Sequence, residues 1–227
     1  EKLASVGLLA AGVAHEINNP LEIIFNHLNY LDMKSETSEQ REVIGEIVEE
    51  LRDIKSIVSN LISFSDSKKA ALEEFDMNDL VSSLINLIRF NARSKNIDII
   101  HRKNAENLLI RGSKNEMKQV LLNLLKNSFE AMPEGGTIKI STDCLAVPES
   151  PAGHVEVLID DNGPGLSDDS GDIFLPFYTT KKGSENNLGL GLSVIYGIIK
   201  KYRGEIHASN RAEGGCRFRI RIPSSPG

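Results

Sequence analysis

His15, Glu16 and Asn19 stand together in "GVAHEINNPL", residues 12–21, and are the first side chains along the chain whose types suit covalent chemistry. Imidazole is a good nucleophile when a carboxylate holds the proton on one ring nitrogen and leaves the other free. Glu16 is adjacent, and although neighbouring helical residues do not face each other squarely, a long carboxylate there can still reach the ring. Asn19 lies four residues on, one turn below on the same face, where a neutral amide can orient a water or a phosphoryl oxygen. Pro20 cannot donate to the carbonyl of Glu16, so a kink and a free acceptor fall one turn from the histidine. "HEINN" also begins like the zinc-protease helix HExxH. The second metal position is Asn19, however, and His27 lies three turns below His15, so the metal reading fails. A solvated surface histidine is the plain alternative.

A second set of residues suits a nucleotide. Asn123 and Asn127 in "NLLKNSFEAM" are four apart on an otherwise apolar helical pattern, which points to a polar pocket rather than to two solvated amides. In "IDDNGPGL", Asp161 ends a strand pattern and can accept from an exocyclic amine such as that of adenine, while Gly163 and Gly165 let the backbone come close to a flat ligand. "NNLGLGLS" opens a helix, and Gly189 and Gly191 free backbone amides for phosphate at its N-terminus. Between these stretches "DIFLPFYTTKKGSENN" is polar around Phe174, Pro176 and Phe177, as in a lid, with Lys181 and Lys182 as cations for a triphosphate or as a solvated pair. Neither GxxxxGK[ST] nor GxGxxG occurs.

These residues need elements to position them. Leu3, Ala10, Ile17, Ile24 and Leu31 repeat every seven, widened by Ala14, Leu21 and Leu28, which predicts one long helix and leaves His15 on the far side. After "KSETSEQ", Thr37 and Gln40 predict a capping box, and Ile44, Ile47, Leu51, Ile54, Val58 and Leu61 predict a second helix. A hairpin of this kind leaves a wide apolar stripe that a second copy would close into a four-helix bundle. "SFSDSKKAA" then breaks the pattern. Beyond it, "FDMNDLVSSLINLIRF", "SKNEMKQVLLNLLKNSFEAM" (with Ser113 and Glu116 as a second box) and "LGLSVIYGIIKKY" predict helices. "NIDIIHR", "NLLIR", "GTIKISTD", "HVEVLIDD", "GEIHAS" and "CRFRIRI" predict strands. The expectation is an all-α hairpin followed by a sheet with helices on one face.

Bulk properties narrow the partners. The 227 residues suffice for two units, and a net charge of −6 argues against nucleic acid or an anionic membrane as the main partner. Cys144 and Cys216 form no CxxC pattern and read as reduced thiols in a cytoplasmic setting. No apolar run reaches the roughly 18 residues of a membrane span, so membrane attachment is expected only through segments outside this sequence. The chain opens mid-helix without an initiator methionine, as a piece of something longer would.

In this order and at these spacings, "AHEINNP", "NLLKNSFEA", "DDNGPG", "FLPFYTTK" and "NLGLGLS" resemble the H, N, G1, F and G2 boxes of sensor histidine kinases, over nearly the whole chain. The resemblance implies a dimerisation and histidine-phosphotransfer domain over residues 1–67, a linker at 68–71 and a catalytic ATP-binding α/β sandwich of the GHKL type over 72–225. It implies an ATP- and Mg²⁺-dependent autokinase acting as a homodimer through its N-terminal hairpin and serving a response-regulator receiver domain. His15 would be the phosphoacceptor, Glu16 its acid/base partner, and Asn19 the residue that places water for dephosphorylating the regulator. Asn127 would hold Mg²⁺ and Asp161 would read adenine. Asn123, Lys126, Gly163, Gly165, Thr180, Lys181, Lys182, Gly189, Leu190, Gly191 and Leu192 would complete the nucleotide site. GHKL ATPases carry a glutamate base four residues before the metal-binding asparagine, and here that residue is Asn123. An amide does not activate water, so the hydrolase alternative is disfavoured, and the intact His15, Asn127 and Asp161 disfavour a non-catalytic nucleotide-sensing scaffold. Two departures stand out: Asn187 replaces the first glycine of the G2 box, and "LSDDSGD" lacks apolar periodicity, predicting an irregular first half of the lid.

Overall fold

A computed structural model describes residues 17, 20–35, 37–48, 51, 54, 72–147, 150–167, 172–176, 178 and 189–225. Among the described residues of the N-terminal part, helix α1 covers 20–34 and helix α2 covers 38–48, and residues 17, 51 and 54 are helical too. The predicted capping box closes α2: Gln40 N–H donates to Thr37 Oγ1 (3.2 Å) and Thr37 N–H donates to Gln40 Oε1 (3.3 Å). Arg41 reaches back to Ser35, donating from Nε to Oγ at 3.0 Å and from Nη2 to the carbonyl at 3.3 Å, which ties the turn to the second helix. Leu28 and Leu51 are buried, whereas Ile24, Leu31, Ile47 and Ile54 of the predicted stripe face outward in the single chain.

The remainder is an α/β sandwich. A five-stranded sheet has the order β2 (Ile97–Lys103), β4 (Gly136–Val147), β5 (Ser150–Asp161), β7 (Cys216–Pro223), β6 (Glu205–Asn210). Only β2 and β4 run parallel, and the connection between them carries helix α4 (Lys114–Ala131). The other pairs are antiparallel. A separate pair, β1 (Glu73–Asp76) with β3 (Leu109–Gly112), braces the entry to helix α3 (Met77–Ser94). The sequence reading lacked β1, because "EEFD" buries only Phe75 and shows no alternation to read. Helix α5 (Gly191–Lys201) completes the helical layer.

Alternation on the strands sets the two faces. Val155, Val157 and Ile159 of β5 and Phe218, Ile220 and Ile222 of β7 point toward the helices, where Leu80, Leu84, Leu121, Leu124, Ile195 and Ile199 close the core. The opposite face carries charge. There Arg217 makes a two-pronged bond to Asp160 (2.7 and 2.6 Å) and Arg221 donates to Glu156 (2.7 Å). The hydrogen bond to Asp160 raises the already high Arg217 pKa further.

The ends of α4 and α5 are tied by one tyrosine. Ser113 caps α4, accepting from Glu116 N–H at 3.3 Å, but Glu116 does not return the bond to Ser113 as a capping box would. Tyr202, just past α5, intervenes: its hydroxyl accepts from Ser113 N–H at 3.0 Å and donates to Glu116 Oε2, while Lys201 donates to Glu116 Oε1 at 2.7 Å. Burial and the Glu116 hydrogen bond push the Tyr202 pKa up to about 12.

Candidate functional site: a buried aspartate between sheet and helices

The register of β5 decides where Asp161 points. Positions 155, 157 and 159 face the helices, so 161 does too, and the last inward position of the strand is a carboxylate instead of an aliphatic side chain. It is 3% exposed. A buried carboxylate needs donors, and it has three. Gly163 N–H (3.0 Å) and Cys216 N–H (3.1 Å) both donate to Oδ1, and the Ser128 hydroxyl of α4 donates to Oδ2 at 3.1 Å. A carboxylate offers about four acceptor positions, so Oδ2 keeps one.

The surrounding backbone is pressed close. Gly215 has φ 87°, and a Cβ there would lie 2.0 Å from the Asp161 carbonyl oxygen and 2.8 Å from Asn162 Cα. Only glycine allows that approach. The same carbonyl accepts from Arg211 Nη1 at 2.7 Å. In the following loop Gly163 lies against Met132 and Ala131 at the end of α4, and Gly165 lies against Asn210 of β6. Asn162 Oδ1 accepts from Thr137 N–H at 2.7 Å, pinning the loop to the start of β4.

Two more features converge on this end of the molecule. Asn123 and Asn127 lie on α4, about one and a half turns and one residue before Ser128 respectively, and Asn123 Nδ2 is buried with no acceptor among the described residues. Helix α5 starts at Gly191 from Leu190, which supplies no side-chain cap, and Gly189 precedes it. Among the described residues its first-turn amides therefore lack the side-chain acceptor that usually satisfies them, a setting that suits an anion. Leu192 packs on the core from the first turn. Lys126, by contrast, is exposed and pairs with Glu130 at 3.7 Å along the helix surface. His15, Glu16, Asn19, Thr180, Lys181, Lys182, Asn187 and residues 168–171 of the lid lie outside the described residues.

Residues 112–226 match the family model described as histidine kinase-, DNA gyrase B-, and HSP90-like ATPase, and residues 5–69 match the His Kinase A (phospho-acceptor) domain. The catalytic domain of histidine kinase ThkA is 33% identical, with a TM-score of 0.59, covering 68% of this chain and 96% of that one. This chain belongs to the sensor histidine kinases. Sporulation kinase C of Bacillus subtilis (strain 168) is 31% identical over 225 residues, covering 98% of this chain and 50% of that protein. ThkA in complex with the response regulator protein TrrA is 30% identical, covers 100% of this chain and 64% of that one, and has a TM-score of 0.69. The chain spans half or less of the length of the full relatives such as sporulation kinases C and A, 50% and 35% respectively.

The described part of this histidine kinase core fits an adenine nucleotide with Mg²⁺. Among the described residues, Asp161 has one acceptor position left, Asn123 has an unanswered amide, and α5 has no side-chain cap at its N-terminus. Among the described residues no group of three His, Cys, Asp or Glu could hold a metal by itself. Mg²⁺ taken with phosphates needs only one or two protein oxygens, and an asparagine amide oxygen is a suitable hard ligand. Sequence reasoning missed Ser128, Arg211, Cys216 and Gly215 as the surroundings of Asp161. The partners Ser128 and Cys216 are 33 and 55 residues away, and no local pattern announces such a pairing. The adjacent "GG" at 214–215 was the one available signal.

Proposed function

We propose that this chain is the ATP-dependent autokinase core of a two-component signalling protein, which phosphorylates its own His15 and passes the phosphoryl group to an aspartate of a response-regulator receiver domain. The observation that carries the reading is the Asp161 cradle: a buried carboxylate with three fixed donors and one free acceptor position, in a chain that also matches the phospho-acceptor domain around His15. Residues 1–67 form the dimerisation and phosphotransfer domain, 68–71 the linker and 72–225 the catalytic domain. The outward-facing Ile24, Leu31, Ile47 and Ile54 support a homodimer, since they offer the uncovered stripe that a second hairpin would bury. ThkA, seen with the response regulator TrrA, supports the receiver partner.

Roles follow from chemistry. Asp161 accepts from the adenine amine, and Gly163 and Gly165 shape the loop beside the base. Gly189, Leu190, Gly191 and Leu192 present the first turn of α5 to the phosphates, with Thr180, Lys181 and Lys182 of the lid closing over them. Asn123 flanks the phosphates, Lys126 reaches them by leaving its pairing with Glu130, and the amide oxygen of Asn127 would hold Mg²⁺, which would neutralise charge on the transferred group. Glu16 takes the ring proton as a nitrogen of His15 attacks the γ-phosphorus, the bond to the ADP oxygen breaks and a P–N bond forms. Asn19 places water for the reverse task, removing phosphate from the regulator. The chain works in the cytoplasm, with no nucleic-acid partner. Among the described residues no helix is long and apolar enough to cross a membrane. With γ-labelled ATP and Mg²⁺, the wild type should take up acid-labile, alkali-stable label and His15→Gln none. Equal labelling of both would remove His15 as the acceptor.

A further inference from the structure

Asp161 is largely buried, yet only one of its three donors among the described residues is a side chain. Gly163 N–H and Cys216 N–H occupy Oδ1, and together they fill that oxygen's two acceptor positions. Oδ2 receives a single bond, from the Ser128 hydroxyl at 3.1 Å, and is the oxygen with capacity to spare. Ser128 is itself 1% exposed, in the apolar stripe of α4 with Leu121, Leu124 and Leu125, where an alanine would pack as well or better. A hydroxyl there has one polar task. A carboxylate held only through Oδ1 retains rotation about χ2, a broad torsion, and this would swing Oδ2.

We propose that Ser128 is a positioning residue for base recognition: its hydroxyl fixes Asp161 Oδ2 so that the remaining acceptor position meets the 6-amino group of an adenine nucleotide. The inference rests on the reading that Asp161 takes that amine. It assigns base selectivity to the residue directly after Asn127, so that one helix segment serves both the phosphates and the base. The hydroxyl also helps exclude ligands that present an acceptor at the 6-position, since a fixed carboxylate oxygen opposite a carbonyl oxygen leaves both unpaired.

The test compares equilibrium binding of ATP and of purine riboside 5′-triphosphate, which lacks the 6-amino group, to the wild type, Ser128→Ala and Ser128→Cys. The wild type should prefer ATP by about tenfold or more, the range of one hydrogen bond to a charged acceptor. In Ser128→Ala the preference should fall to about twofold, because ATP weakens while the amine-free analogue does not. Ser128→Cys, a weaker donor of similar size, should lie between the two. If the wild type shows no preference, the amine reading of Asp161 fails and this proposal with it. If the wild type discriminates and Ser128→Ala discriminates equally, the positioning role alone is overturned. Equal weakening of both ligands in Ser128→Ala would also overturn it, since that marks a general packing defect. Thermal unfolding of each variant confirms that the binding values refer to folded protein.

Discussion

Replacing Gly215 by alanine tests the cradle most directly. The added Cβ would lie 2.0 Å from the Asp161 carbonyl oxygen, where ordinary contact begins at 3.4 Å. The obstacle is backbone, not a side chain that can swing aside, so β5 and the turn before β7 must part by more than an ångström. That movement breaks or lengthens the bonds from Arg211 Nη1 to the Asp161 carbonyl and from Cys216 N–H to its carboxylate. Loss of one hydrogen bond to a charged group costs about 2 kcal/mol, and a non-glycine residue at positive φ costs about 1 kcal/mol more. With the remaining strain the expected destabilisation is about 4 kcal/mol. Gly214 is the internal control: its φ is 88°, but a Cβ there meets nothing within 4 Å. Gly214→Ala should therefore lose only about 1 kcal/mol. Urea unfolding followed by far-ultraviolet circular dichroism gives both values, with midpoints compared only where the slopes agree. The chain has no tryptophan, so intrinsic fluorescence is the poorer probe. A gap between the two variants below about 1 kcal/mol would refute the claim that backbone contact at Asp161 dictates glycine at 215.

Tyr202→Phe should lower stability by about 1–2 kcal/mol in the same assay, because it strips an acceptor from Ser113 N–H and a donor from Glu116; an unchanged midpoint would mean the bridge is replaced by water. The folded pKa of Tyr202 is raised from 10.0 to about 12, so its stabilisation is complete below pH 10 and is lost as pH climbs toward 12. Tyr202→Phe should flatten that alkaline decline, and an identical decline in both proteins would contradict the assignment. Asn19→Ala should leave autophosphorylation intact and slow dephosphorylation of the phosphorylated regulator, as followed by loss of label from the regulator.

Local signals carried most of the architecture. The seven-residue repeat located α1, the Thr37–Gln40 spacing marked the start of α2 as a reciprocal cap, and alternation in "CRFRIRI" located β7 and its inward side chains. The same alternation places Asp161 on the helix side, so its burial was legible from counting by twos along β5. What sequence could not supply were relations between distant residues. Glu116 looked like the second half of a capping box and instead answers Tyr202, 86 residues away. Strand β1 exists because β3 offers it hydrogen bonds, a tertiary cause that its four residues do not display. Ser128 carries no local sign of its role, because the aspartate it meets lies 33 residues further on.

The Tyr202 tie gives the nucleotide end of the domain a lever. It fastens the first turn of α4 to the last turn of α5, and both helices extend from there toward the opposite end, where Asn127 and Gly191 lie. At about 1.5 Å of rise per residue, each of those positions is on the order of 16 Å from the fastening. A relative tilt of about 5° at the tyrosine thus displaces the α5 tip by roughly 1.4 Å, close to the difference between gripping a phosphate and releasing it. The fastening therefore lies at one end of the helix pair and the candidate phosphate-facing residues at the other, so a tilt at the tyrosine would be felt most where Asn127 and Gly191 lie.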